Sequence, residues 1–430
     1  MAESSCNQRR RFLRQVALSL PGLALLGAGS RPASSSGGVL PGIDVLARNG
    51  FHPLRGKRVG LLTHPAGVNR FGISTIEVLR ASPLVRLMAL FGPEHGIHGD
   101  EKANVPVEDR TDPRTGLPVY SLYGKFRRPT PAMLASIDTM VIDLQDIGSR
   151  SYTYVSCMRY VIEECFQAGK QVIVLDRPNP LGGLKVDGPP LEKQWMSYVG
   201  AFQVPYVHGL TIGELANMAK RKPGVLQVPD SVRRRGRIEI IPMSGWRRSM
   251  MWTTTGLRWI PTSPAIPDVS AALGYPMTGL GAQLGGFQHG YGTRLPFRLL
   301  QFPKTAPETI SAAFSSRAIP GLAFPVVPFT VMGQPRRATF VKVTDWAALR
   351  PTELSLHMMD LARRWNPTNP FAAAPHSKRD LFTKHVGDSR VLDSLLQSNS
   401  PLPIQSLLAD WSATNRLFQL EARAWWLYQP

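Results

Sequence analysis

Glu94 and His95 stand just past an unbroken apolar run, in the stretch VRLMALFGPEHGIHG from Val85 to Gly99. Residues 85–91 have the composition of a strand buried on both faces, and Gly92-Pro93 stops it. In open α/β sheets ligands bind beyond the carboxyl ends of strands, which is where this glutamate falls. Partly apolar surroundings, here Phe91 and Pro93, favour the protonated form of a carboxyl and let it donate to a leaving oxygen. Glu94 is therefore the first candidate catalytic acid.

Three more strand candidates end the same way. Residues 58–63 (RVGLLT) run into His64-Pro65, residues 139–144 (TMVIDL) into Gln145-Asp146, and residues 171–175 (QVIVL) into Asp176-Arg177-Pro178-Asn179. Helical stretches at 74–80, 131–137 and 152–168 separate the strands, Ser74 being placed to cap the first and Gly169 to stop the third. The alternation predicts an α/β fold with a parallel, Rossmann-like sheet. It gathers His64, Glu94, His95, Gln145, Asp146, Asp176, Arg177 and Asn179 along one edge. Asp146 is the candidate second catalytic charge, Arg150 or Arg177 is suited to grip an anionic substrate, and Tyr152 is suited to stack on a sugar. Asp176-Arg177 reads equally well as a structural pair closing its turn, and Tyr152 as packing at a helix start.

Further along, a helix at 211–220, a basic loop at 233–237 and a strand at 238–242 complete the first half. The proline-rich passage 259–267 marks a boundary between a Rossmann-like catalytic domain, 43–262, and a smaller α+β domain, 263–430. The second domain carries a glycine-rich loop at 279–293, strands at 324–331 and 339–344, and helices at 352–365, 388–396 and 404–428.

Other chemistries lack their signatures. Residues 64–72 do not have the G-x-G-x-x-G spacing that a dinucleotide requires after the first strand. His95-x-x-His98, with Glu94, Asp100 and Glu101 nearby, offers metal ligands but not the helical i, i+4 pair of the zincins. No Gly-x-Ser-x-Gly elbow is present. On the residues alone the expectation is a hydrolase working by general acid catalysis, with no metal and no organic cofactor.

The first thirty residues read as a targeting segment. Arg9-Arg10-Arg11-Phe12-Leu13-Arg14 is a twin-arginine type start, and the apolar run 16–26 that follows is short for a bilayer span. The expected location is the periplasm or outside the cell, with no stable membrane anchor after cleavage; residues 31–42 read as a linker. With 43% hydrophobic and 19% charged residues the chain has a globular composition. Its net charge of +20 suits anionic envelope polymers, while an export signal argues against nucleic acid. Cys157 and Cys165, eight apart on one helix, lie about 12 Å apart along its axis. That is too far for a disulfide, so both are expected to be buried thiols.

Five segments taken together resemble one family: FGPEHGIHG (91–99), TGLPVYSLYG (115–124), DLQDIGSRSYTY (143–154), VLDRPNPLGG (174–183) and HGLTIGELA (208–216). The chain resembles the exo-β-N-acetylmuramidase (NamZ-like) family of peptidoglycan-degrading glycosidases. The resemblance implies a Rossmann-like domain and a smaller C-terminal domain with the site in the cleft between them. It also implies removal of N-acetylmuramic acid from the non-reducing ends of peptidoglycan fragments, and it carries the catalytic glutamate of Pro-Glu-His-Gly onto Glu94. The expected partners are peptidoglycan-derived saccharides. The second half departs from the family pattern. A loop commonly Ser-Glu-Gly-Arg-Gly-Thr is here Gln288-His289-Gly290-Tyr291-Gly292-Thr293, and Gln283 replaces an earlier glutamate. His289 and Tyr291 are the candidates to take over sugar contacts there. The competing expectation is a muropeptide- or sugar-binding protein that has lost turnover.

Overall fold

The computed structural model describes residues 38–99, 108–397 and 401–430. The expected targeting segment, most of the linker, and Asp100 and Glu101 lie outside the described residues. Residues 37–430 group as one unit.

Strands β1 (Arg58–Thr63), β2 (Arg86–Gly92), β3 (Arg110–Thr111), β4 (Pro118–Ser121), β5 (Thr139–Asp143), β6 (Gln171–Leu175) and β7 (Ile238–Ile241) form one sheet. Its order is β3-β4-β2-β1-β5-β6-β7. All neighbours are parallel except β3, which runs antiparallel to β4 at the edge. Without that edge strand the order is that of the doubly wound Rossmann sheet, with the topological switch between β1 and β5. Side chains of β1, β5 and β6 are buried on both faces, so these strands read as continuous apolar runs. One apolar core, containing Phe91, Ile142, Met158 and Val174, covers one face, and a second, containing Leu61, Leu90, Val141 and Ile173, covers the other.

Local chemistry fixes the connections. Ser74 accepts from the Glu77 amide at 3.1 Å and starts helix Thr75–Ala81. Thr211 and Glu214 form a reciprocal capping box at helix Ile212–Arg221. Cys157 and Cys165 are free and buried on helix Tyr154–Gln167. The expected basic loop at 233–237 is mostly helix, Asp230–Arg235, because Asp230 pairs with Arg233 and Arg234 one turn on.

The C-terminal part is smaller and mixed. It has β8 (Leu299–Leu300), β9 (Leu322–Ala323), the hairpin β10 (Val326–Val331) and β11 (Gln334–Phe340), and β12 (Lys342–Val343). The surrounding helices include Glu353–Trp365, His376–Val386 and Ser389–Leu396. Helix Ile404–Ala422 ends earlier than the apolar pattern suggests and passes into a 3-10 turn, Arg423–Trp425. Phe418, Ala422 and Trp425 from this end join the core beneath β5 and β6, so the last helix ties the small part to the sheet.

Candidate active site

β2 ends at Gly92, and the chain turns through Pro93-Glu94-His95-Gly96, closed by the Gly96 amide donating to the Pro93 carbonyl at 3.0 Å. His95 takes a positive φ of 73° at the third position of this turn, a conformation that side-chain-bearing residues seldom adopt. A Cβ on Gly92 would meet the Gly96 backbone at 3.2 Å, so the fold-back is close. This turn sets Glu94 at the corner, half-buried, with its carboxyl facing open space.

That space is a cleft of about 590 Å³ at the sheet edge. Its wall is aromatic. Tyr152 and Tyr154 pack edge to face at 4.8 Å, and Tyr275 joins them 6.1 Å from Tyr152. The Tyr152 hydroxyl donates to Thr262 Oγ1 at 2.8 Å and that of Tyr154 to the Thr262 carbonyl at 2.6 Å, which fixes both rings. Burial pushes the Tyr275 phenol up to about 12, so it stays a neutral hydrogen-bonding group. Thr153 Oγ1 donates to Glu94 Oε2 at 3.3 Å, and the Tyr123 phenol hydrogen-bonds the same side chain. Burial, and then the Glu94 charge, raise the pKa of Tyr123. Arg127 rests against the Tyr123 and Tyr198 rings, 4.2 and 4.3 Å from their centroids. From the C-terminal part come Gln283, Phe297, Leu381 and His385. Burial, followed by the nearby Arg150 charge, lowers His385 to about 4 and keeps it neutral.

The residues expected from sequence divide into three groups. Glu94, His95 and Tyr152 line the cleft, with Gln283 beside them. His64, Gln145 and Asp146 lie at the strand ends but inside the protein. The Gln145 amide donates to His64 Nε2 at 2.9 Å, and burial holds His64 neutral, lowering it to about 3. Asp146 Oδ2 accepts from the Gly148 amide at 2.8 Å and lies 3.5 Å from His208 Nε2, while its Oδ1 is buried with no hydrogen-bond partner among the described residues. Its charge is nonetheless felt by Tyr152 and Tyr275 on the cleft wall.

The third group lies outside the cleft lining, and most of it holds the fold. Arg150, proposed as an anion grip, is 1% exposed, and its guanidinium donates to the carbonyls of Pro189, Val204, His385 and Val386. Arg177 forms a two-pronged pair with Asp143, at 2.5 and 2.8 Å, and also donates to the Val68 carbonyl. The structural pair at this turn is thus Arg177 with Asp143 on the neighbouring strand, not with Asp176. Asp176 accepts from the Arg177 and Gly213 amides, Thr211 Oγ1 and the Tyr428 hydroxyl, and burial raises it to about 6. Asn179 closes its own turn, bonding the Leu181 amide and the Leu210 carbonyl. His289 stacks on Phe297 at 4.4 Å, behind the cleft wall, and Tyr291 is 63% exposed on the outer loop.

His98 opens on a different cleft, where its Nε2 pairs with Asp112 Oδ1 at 2.9 Å. Among the described residues no three carboxylate, histidine or cysteine side chains come together as a metal-holding group.

Tyr123, Arg127, Tyr198, Tyr275 and His385 are cleft residues that sequence reasoning passed over. They come from four separate segments, Tyr123 and Arg127 sharing one, and no local pattern in the chain joins the four.

The N-terminal domain of exo-beta-N-acetylmuramidase NamZ matches residues 59–270 and the C-terminal domain matches residues 273–428. Peptidoglycan beta-N-acetylmuramidase NamZ of Bacillus subtilis (strain 168) is 39% identical over 292 residues, 68% of each chain. Two crystal structures of DUF1343 family proteins from Bacteroides fragilis NCTC 9343 are also similar. One has a TM-score of 0.81 at 36% identity and the other 0.67 at 25%, each over 91% of this chain and 99% of its own. With both domains matched in order across the sheet and the smaller C-terminal part, the chain belongs to the exo-β-N-acetylmuramidase NamZ family.

Proposed function

We propose that this protein is an exo-acting β-N-acetylmuramidase that releases N-acetylmuramic acid from the non-reducing ends of peptidoglycan fragments, with Glu94 as the general acid. The observation that carries this reading is the placement of Glu94: a carboxyl on a strained turn, held by Thr153 and Tyr123, in a cleft walled by tyrosines. A tyrosine-lined cleft suits a pyranose ring, which presents C–H groups to aromatic faces and hydroxyls to phenols.

Glu94 protonates the glycosidic oxygen as the C1–O bond breaks. Among the described residues that line the cleft it is the one carboxylate. This favours the substrate's own 2-acetamido group for the second role. Its carbonyl oxygen attacks C1 as the leaving sugar departs, and water then opens the cyclic intermediate with Glu94 as base. The twin-arginine start supports placing the reaction in the periplasm or outside the cell.

The test is product analysis on a disaccharide with muramic acid at its non-reducing end. Release of free N-acetylmuramic acid is the expected result. Saturable binding without release favours the competing reading, a muropeptide-binding protein.

A further inference from the structure

A terminal muramic acid differs from a terminal N-acetylglucosamine by one group, the lactyl ether on O3 with its carboxylate. That group sits on the same ring whose C1 is attacked, so a residue that reads it lies within one sugar ring of Glu94. Arg150 and Arg177 are committed to interior partners. Resting on the muramidase reading, we infer that Arg127 binds the lactyl carboxylate and is the residue that selects muramic acid over N-acetylglucosamine.

Three observations support this. Arg127 is the one arginine or lysine among the described residues lining the cleft. Its guanidinium lies in the corner between two rings, Tyr123 and Tyr198, whose centroids are 6.3 Å apart. Cation–π contacts order the long side chain but leave its charge uncompensated. No carboxylate among the described residues pairs with it, unlike Arg128 next door, which is bound to Glu163 and Glu164. Finally, Tyr123 hydrogen-bonds both Arg127 and Glu94, so one phenol ties the cation to the acid. A planar fork of N–H donors positioned in this way matches a carboxylate in geometry as well as charge.

The experiment measures binding by calorimetry in the Glu94→Gln protein, where turnover does not interfere. The ligands are the methyl β-glycoside of N-acetylmuramic acid, its lactyl amide, in which the carboxylate is replaced by a neutral group of the same shape, and the methyl β-glycoside of N-acetylglucosamine. With Arg127 present the acid binds at least tenfold more tightly than the amide. In Arg127→Met the acid falls to the affinity of the amide, the amide itself is unchanged, and Arg127→Lys recovers part of the difference. A tenfold preference that survives Arg127→Met overturns the inference and leaves the muramidase reading standing. Failure of all three sugars to bind the Arg127-containing protein, with no release of muramic acid by the wild type, overturns both.

Discussion

The hydroxyl of Thr153 lies 3.3 Å from Oε2 of Glu94. Thr153 occupies the N-cap position of helix Tyr154–Gln167, yet makes no side-chain cap bond to its own helix. A threonine at that position ordinarily accepts from a backbone amide one turn on. Here the hydroxyl is turned outward to the carboxyl of another segment, and the helix start serves the site.

This relationship predicts a separation of stability from activity. Thr153→Val removes the hydroxyl but no existing cap bond. Thermal stability is expected to change little, while kcat falls about tenfold as Glu94 loses a positioning contact worth about 1.4 kcal/mol. Calorimetry and steady-state kinetics on the same preparation check this, and a variant that melts early with unchanged kcat contradicts it.

The interior arginines make the opposite prediction. Arg177→Ala leaves the Asp143 carboxylate buried beside Thr75 with its charge partner gone, a loss of about 3–5 kcal/mol. Arg150→Ala strands four backbone carbonyls and is expected to cost about 3 kcal/mol or more. In both variants urea midpoints fall, whereas KM of the surviving folded fraction holds. A raised KM at full stability would place either guanidinium on the substrate instead.

These two classes of residue show how far the chain can be read before folding. The stop of β2 at Gly92-Pro93 is a local signal, and it delivers Glu94 to the sheet edge as expected. The doubly wound sheet follows from apolar runs alternating with helices, each run short enough to be judged by itself. What Arg177 does is not local, because its partner Asp143 is set by the pairing of β5 beside β6. A polar residue past a strand end faces either the opening or the packed layer between elements, and composition does not distinguish the two. Helix His376–Val386 illustrates another limit. It contributes Leu381 and His385 to the cleft from nearly three hundred residues beyond Glu94, and its own sequence is too polar to reveal a buried face.

Acid sensitivity follows from the neutral histidines. His64 and His385 titrate near 3 and 4 in the fold, against 6.5 ordinarily. Below pH 6.5 the unfolded chain therefore binds more protons than the folded one, and stability falls as pH drops from 6.5 toward 4. Asp176, raised to about 6 from 3.8, has the opposite sign: its contribution is lost as pH rises from about 4 to about 6. Two histidines outweigh one aspartate across that window. Urea midpoints between pH 4.5 and 7 are expected to show a shallower acid decline when both histidines are replaced by glutamine. An unchanged slope contradicts the assignment.

Gln283 lines the cleft together with Glu94. A negative charge there would stabilise the positive charge that develops on the sugar ring as the glycosidic bond breaks. Gln283→Glu is expected to raise kcat about tenfold, or about 1.4 kcal/mol of barrier, with little change in KM. A fall in kcat would show that the neutral side chain is required.

Proton donation by Glu94 is the central step, and the dependence of its loss on the leaving group measures it most directly. The ratio kcat/KM, which reports the steps up to cleavage of the glycosidic bond, is compared for wild type and Glu94→Gln on two muramides, one with a sugar leaving group and one with 2,4-dinitrophenol, which departs without a proton. Glu94→Gln is expected to lose about a hundredfold or more on the sugar substrate and far less on the dinitrophenyl one. Equal losses on both substrates would contradict it.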